Sequence, residues 1–214
     1  MAAAGEAARW LPLLGLFEGS RLEELAQLLI EDARGESGIP YLFILADDGR
    51  NRTSPTAKNI KVHGKRLRVP IHSEVIQCGV LQYVQGRRRN AKPTDRLFPD
   101  LKRDSRGRLS GNWSKWWGRW CRETLAITDR RRLFHSFRHG WKDAARAERV
   151  DAAISDAITG HTQSGIGSHY GTRGNEGYPI AVLKVAIEKI AFSIGLSALW
   201  TDDKTAGTAP TGQD

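Results

Sequence analysis

Residues 39–71 read IPYLFILADDGRNRTSPTAKNIKVHGKRLRVPI. This stretch decides the fold class, because the apolar segments around it carry helical periods. IPYLFILAD is rich in β-branched and aromatic residues and predicts a strand. NIKV and KRLRVPI flank His63-Gly64, which suits a short hairpin loop. One small antiparallel sheet near the N-terminal third is expected, inside a chain that is otherwise helical.

Working outward, residues 6–17 read as a helix despite Pro12, and SRLEELAQLLIEDAR (20–34) as another. In the second, Ser20 serves as N-cap, Glu23 closes a capping box, and Leu22, Leu25, Leu28 and Leu29 share a face. Residues 73–85 predict a helix opened by Ser73, and 86–110, with Pro93 and Pro99, a loop-rich segment. Residues 112–124 place Trp113, Trp116, Trp117 and Trp120 at i, i+3, i+4 and i+7. Such a stripe faces a core, with base stacking as the other reading of four indoles on one face. HSFRHGWKDAARA (135–147) is helical. So is DAAISDAITG (151–160), with Asp151 as cap and Gly160 as stop, and so is YPIAVLKVAIEKIAF, roughly 178–193. The tail TDDKTAGTAPTGQD (201–214) is small and polar and is expected to be disordered.

The chain has 214 residues, long enough to bury a sizeable core. Forty per cent are hydrophobic and 27% charged, which fits a soluble globular protein. No apolar run approaches the ~18 residues of a membrane span, and the first residues read as helix rather than signal peptide. Only Cys78 and Cys121 occur, far apart. No metal or other cofactor is expected, and a cytoplasmic location is. Net charge is +9. That balance points to a polyanion, most often nucleic acid. Arg87-Arg88-Arg89 and Arg130-Arg131-Arg132 are compact clusters suited to a phosphate backbone or to a solvated loop.

His135 and Arg138 lie one turn apart on a predicted helix, so they face the same way. His161 follows Arg138 by 23 residues, and Tyr170 follows by nine more. Arg21 opens a helix upstream. Two arginines, two histidines, a lysine-bearing hairpin and one tyrosine suit a phosphodiester. Guanidinium forks match phosphate oxygens and would stabilise a five-coordinate transition state. A tyrosine oxygen can act as nucleophile. Ionising it at pH 7 costs roughly 4 kcal/mol against a reference pKa of ~10, so a base and neighbouring cations must offset that. A hairpin lysine can protonate the departing oxygen. No acidic cluster of the kind that holds Mg²⁺ for a metal-dependent nuclease is present.

The set Arg21 in GSRLEEL, His135 and Arg138 in HSFRH, His161 in TGHT and Tyr170 in SHYG resembles the tyrosine recombinases of the phage-integrase type. The resemblance covers roughly residues 8–195. RWLPLLGLFEGSRLEELAQL, RVPIHSEVIQCG and RLFPDL look like proteobacterial prophage integrases. The resemblance implies an α+β, mainly α-helical catalytic domain over 1–200 with a small three-stranded antiparallel sheet. It implies strand cleavage and rejoining through a 3′-phosphotyrosine on Tyr170, without a metal. A non-catalytic DNA-binding remnant of an integrase is the alternative.

Carried across by residue, Arg21 and Arg138 would clamp the phosphate, and Glu24 would orient Arg21. His135 would manage the tyrosine proton, and His161 would bond a non-bridging oxygen. Lys61, nine residues before Pro70, would be the general acid, with Lys65 and Lys58 as runners-up. Val62 stands where a threonine often follows that lysine, Phe137 replaces a usual leucine, and Thr159 the leucine before Gly-His. The expected partners are double-stranded DNA attachment sites, further copies of the chain in a homotetramer, and DNA-bending accessory proteins, with no membrane. The last helix would either dock on a neighbouring subunit or pack on its own core. The resemblance implies an upstream DNA-binding domain, which is expected to be missing from this sequence through removal or natural truncation. Weak affinity and little sequence specificity are therefore expected of these 214 residues.

Overall fold

A computed structural model describes residues 5–45, 66–129, 133–161, 175 and 177–199. The architecture is α+β: helices packed around a small antiparallel sheet. Helix α1 (Ala7–Glu18) runs through Pro12 and buries Trp10, Leu11, Leu14 and Phe17. It stops at Gly19, whose φ of 63° is left-handed. A Cβ there would sit 2.8 Å from the Trp141 indole and 3.2 Å from the Thr159 methyl. Gly19→Ala is therefore expected to destabilise the fold by about 1–3 kcal/mol, from strain plus overpacking. Denaturant unfolding checks this, and an unchanged midpoint would contradict it.

The expected helix over 20–34 is corrected. Helix α2 spans only Leu22–Ala26, and its N-cap is Arg21, not Ser20. The residue that closes back on the cap is Glu24, accepting the Arg21 N–H at 2.9 Å. The helix ends early because a distant loop takes its backbone groups. The Gln27 carbonyl accepts from Arg96 and the Leu28 carbonyl from Leu97 N–H, while Ile30 N–H donates to Asp95. Glu23 is used elsewhere. Its carboxylate accepts the N–H groups of Leu109 and Ser110 at 3.1 and 2.8 Å, capping helix α5 (Ser110–Glu123).

A short 3-10 turn (Ile30–Asp32) then leads into strand β1 (Ala33–Glu36), whose first two residues fall within the helix expected over 20–34. It pairs antiparallel with β2 (Ile39–Leu45) through a two-residue turn. Ser37 and Gly38 both have positive φ, as a tight hairpin between right-twisted strands requires. Strand β3 (Arg66–Pro70) pairs antiparallel with β2, from Tyr41 opposite Pro70 to Leu45 opposite Arg66, giving the order β1-β2-β3. Pro70 is tolerated because β3 is an edge strand. Leu42, Ile44, Leu67 and Val69 form the buried face. The NIKV segment and the His63-Gly64 loop lie outside the described residues.

The single helix expected over 73–85 is two. Helix α3 (Ser73–Gln77) is capped by His72, whose Nδ1 accepts the Glu74 N–H at 3.1 Å. Gly79, at φ 91°, separates it from α4 (Val80–Asn90), which extends into the segment expected as loop. Arg87 and Arg88 at its end donate to the carbonyls of Arg96 and Ala33. Two of the three clustered arginines thus hold the fold together.

On α5, Trp113 and Trp117 are buried, and Trp116 and Trp120 pack partly buried against the same core. Trp113 and Trp117 stack at 5.3 Å, with Phe134 edge-on to Trp113. This is the core-facing arrangement. Helix α6 (His135–Ala147) matches its expected bounds. So does α7 (Ala152–Thr159), where Asp151 accepts the N–H groups of Ala153 and Ile154 and Gly160 turns left-handed. Helix α8 (Ile180–Glu188) is shorter than 178–193. Ile180, Leu183, Ala186, Ile187 and Ile190 fill the chain's own core, while Ala181, Val182 and Val185 stay exposed. Beyond it, Phe192 meets Phe17 edge-on and the Leu199 carbonyl accepts from Arg9. Among the described residues no helix is long and apolar enough to cross a membrane.

Candidate functional site

Three elements converge on one open cleft of about 430 Å³. Helix α6 supplies His135, Arg138, His139, Lys142 and Arg146, the entry to α2 supplies Arg21, and the segment leaving α7 supplies His161. The local sequence explains each placement. Trp141 anchors α6: its indole is fully buried and donates to the Phe17 carbonyl at 2.9 Å. That contact turns the 135/138/139/142 face toward the end of α1 and the start of α2. Gly160 reverses α7 in a left-handed cap, and the His161 N–H returns to the Asp156 carbonyl at 2.9 Å.

Arg138 sits deepest, only 5% exposed. Its Nη1 donates to the Gly19 carbonyl at 2.8 Å, whereas its Nη2 is buried with no hydrogen-bond partner. Burial, then the neighbouring Arg21 cation, pull its pKa down to about 10, with Glu24 and Asp156 opposing. It remains a cation at neutral pH. A buried guanidinium donor without an acceptor is costly unless a ligand supplies one. Arg21 is more accessible, with its side chain 40% exposed, and is tethered by a 2.9 Å ion pair to the buried Glu24. That tether leaves the rest of the fork for an anion while fixing its direction.

His135 stands at the rim, edge-on to His139 at 4.8 Å. Partial loss of water on one side lowers its pKa, and His139, Arg138 and Arg21 push it the same way. The ring is therefore neutral at pH 7 and able to accept a proton. A folded-state pKa below the unfolded one makes a contribution to stability that is complete above ~6.5 and lost as pH falls through the depressed value. We expect the His135 NMR titration midpoint to lie below ~6.5 and to rise in Arg21→Ala. A midpoint at or above ~6.5, or one indifferent to Arg21, would contradict this electrostatic account.

The structure thus brings together Arg21, Glu24, His135, Arg138 and His161 of the expected set. Tyr170, Lys61 and its runners-up Lys58 and Lys65 lie outside the described residues, as does the Arg130–Arg132 cluster. Sequence reasoning missed Lys142, Arg146 and Asp156 in the cleft. The first two were detectable, since 138, 142 and 146 recur at helical spacing on one face. Asp156 was not, because its pairing with Lys142 crosses between helices. Among the described residues no group of three or more His, Cys, Asp or Glu side chains is arranged to hold a metal ion. Comparison with protein-family models, curated proteins and solved structures gives no match for the chain.

Proposed function

We propose that the cleft binds a DNA phosphodiester and that the chain cleaves and rejoins DNA strands through a phosphotyrosine link, in the manner of the tyrosine recombinases its motifs resemble. The observation that carries this reading is the unpartnered, buried Nη2 of Arg138 beside the tethered Arg21, with two imidazoles at the same cleft. Two guanidinium groups can each donate to non-bridging oxygens and stabilise the extra charge of a five-coordinate phosphorus. His161 donates a further hydrogen bond to such an oxygen.

In the reaction the Tyr170 oxygen bonds to phosphorus, and the bond from phosphorus to the 5′ deoxyribose oxygen breaks. Neutral His135 takes the phenolic proton, and the hairpin lysine, Lys61 in this assignment, protonates the departing oxygen. Attack by a 5′-hydroxyl on the phosphotyrosine runs the same steps backwards, so no external energy is consumed. Double-stranded DNA is the substrate and the partner. The exposed strip Ala181, Val182 and Val185 is the part of α8 left for a second copy in a tetramer.

A nicked suicide duplex tests the reading. The free 5′ fragment diffuses away after cleavage and traps the intermediate. The wild-type chain is expected to form a covalent adduct that Tyr170→Phe abolishes. DNA binding with no adduct would instead identify a non-catalytic remnant.

A further inference from the structure

Lys142 lies one turn beyond Arg138 on α6, and its Nζ reaches across to α7. It donates to Ser155 Oγ at 3.0 Å and to Asp156 Oδ1 at 2.5 Å. The main-chain carbonyl of the same Asp156 accepts the His161 N–H. Asp156 is thus tied through its carboxylate to the helix that carries His135 and Arg138, and through its carbonyl to His161. The two side chains are only 19% and 22% exposed, so solvent and salt screen the pair less than a surface one.

We propose that Lys142 and Asp156 are positioning residues of the cleft. Their ion pair sets the rotation and spacing of α7 against α6, and so holds the His161 imidazole on a phosphate gripped by Arg21 and Arg138. The role rests on the phosphodiester reading above. Helix α7 has eight residues and ends at a left-handed glycine, so its own length does little to fix His161. A side-chain group about 6 Å from a helix axis moves about 2 Å for a 20° rotation. Misplacement by about 1 Å in an active site can cost about a hundredfold in rate.

A different role, tuning of cleft charge alone, has an opposite signature. Lys142→Met would remove a cation and weaken DNA binding, while Asp156→Asn would remove an anion and strengthen it. Positioning makes both variants slower at saturating DNA, with little change in affinity.

The test uses the 214-residue chain and a pool of nicked suicide duplexes with randomised sequence. Single-turnover cleavage is expected to fall about 10- to 100-fold in Lys142→Met and in Asp156→Asn, with Kd changed by less than about threefold. Lys142→Arg, which keeps the charge, should retain most of the rate. In a His161→Ala background Lys142→Met should add less than about a twofold loss, because the partner it positions is gone. An equal loss in both backgrounds overturns the proposal, as do opposite affinity shifts at an unchanged rate.

A second readout does not depend on activity. The His161 imidazole resonances should shift in both single variants while those of the buried His72, which bonds neither Lys142 nor Asp156, stay fixed. An unmoved His161 overturns the positioning role. If the wild-type chain forms no adduct with any duplex, the strand-cleavage reading falls, and the resonances still decide whether the pair holds His161.

Discussion

Arg138→Ala is expected to slow strand cleavage by about a thousandfold, the upper range for removing one donor to a developing oxyanion. The magnitude follows from where the side chain sits. Arg138 is buried, so its charge acts with little solvent screening, and one of its nitrogens already lacks an acceptor. A phosphate oxygen in the cleft would complete that set, and it gains charge as phosphorus becomes five-coordinate. Arg138→Lys keeps a charge but loses the fork and the Gly19 contact together, so it should recover little of the rate. Single-turnover cleavage at saturating DNA separates these effects from binding. Circular dichroism of each variant confirms that the fold remains. Cleavage by the alanine variant within about tenfold of wild type would remove Arg138 from the transition state.

The second large effect is on stability. Trp141→Ala should cost about 3–5 kcal/mol, the usual range for emptying a fully buried aromatic site. The indole has no exposure and packs so closely on Gly19 that no Cβ fits there. Its loss also orphans the Phe17 carbonyl, which accepts the indole N–H. Phe17 and Gly19 lie two residues apart around the turn that leads to Arg21, so the cavity opens directly behind the cleft. Guanidinium unfolding should show a lower midpoint with little change in slope. A loss under about 1 kcal/mol would mean that the contact between α1 and α6 is not what sets the cleft.

These two residues also show what the sequence revealed. Helices α6 and α7 were legible to the residue because their signals are local: Asp151 caps, Gly160 stops, and the apolar period is unbroken between them. The convergence of Arg21, His135, Arg138 and His161 on one cleft was anticipated from their residue types and their intervals along the chain. Helix α2 misled because its end is decided by residues 95–97, far along the chain, which take the backbone groups that a longer helix needs. For the same reason the start of β1 was hidden at the end of an apparent helix. Gly79 broke a helix that hydrophobic period alone extended, since its positive φ is not visible in the spacing. The Lys142–Asp156 pair was out of reach, because a partner on another helix leaves no mark on either helix's own pattern.

The central claim is a phosphotyrosine on Tyr170, and the most direct measurement is mass spectrometry of the trapped adduct. The chain is incubated with the nicked duplex pool, digested with protease and nuclease, and the modified peptide is sequenced. The account predicts a nucleotide joined through its 3′ phosphate to Tyr170, absent from Tyr170→Phe. A nucleotide on any other side chain, or an adduct that survives Tyr170→Phe, would contradict it, as would tight binding of the duplexes with no covalent product.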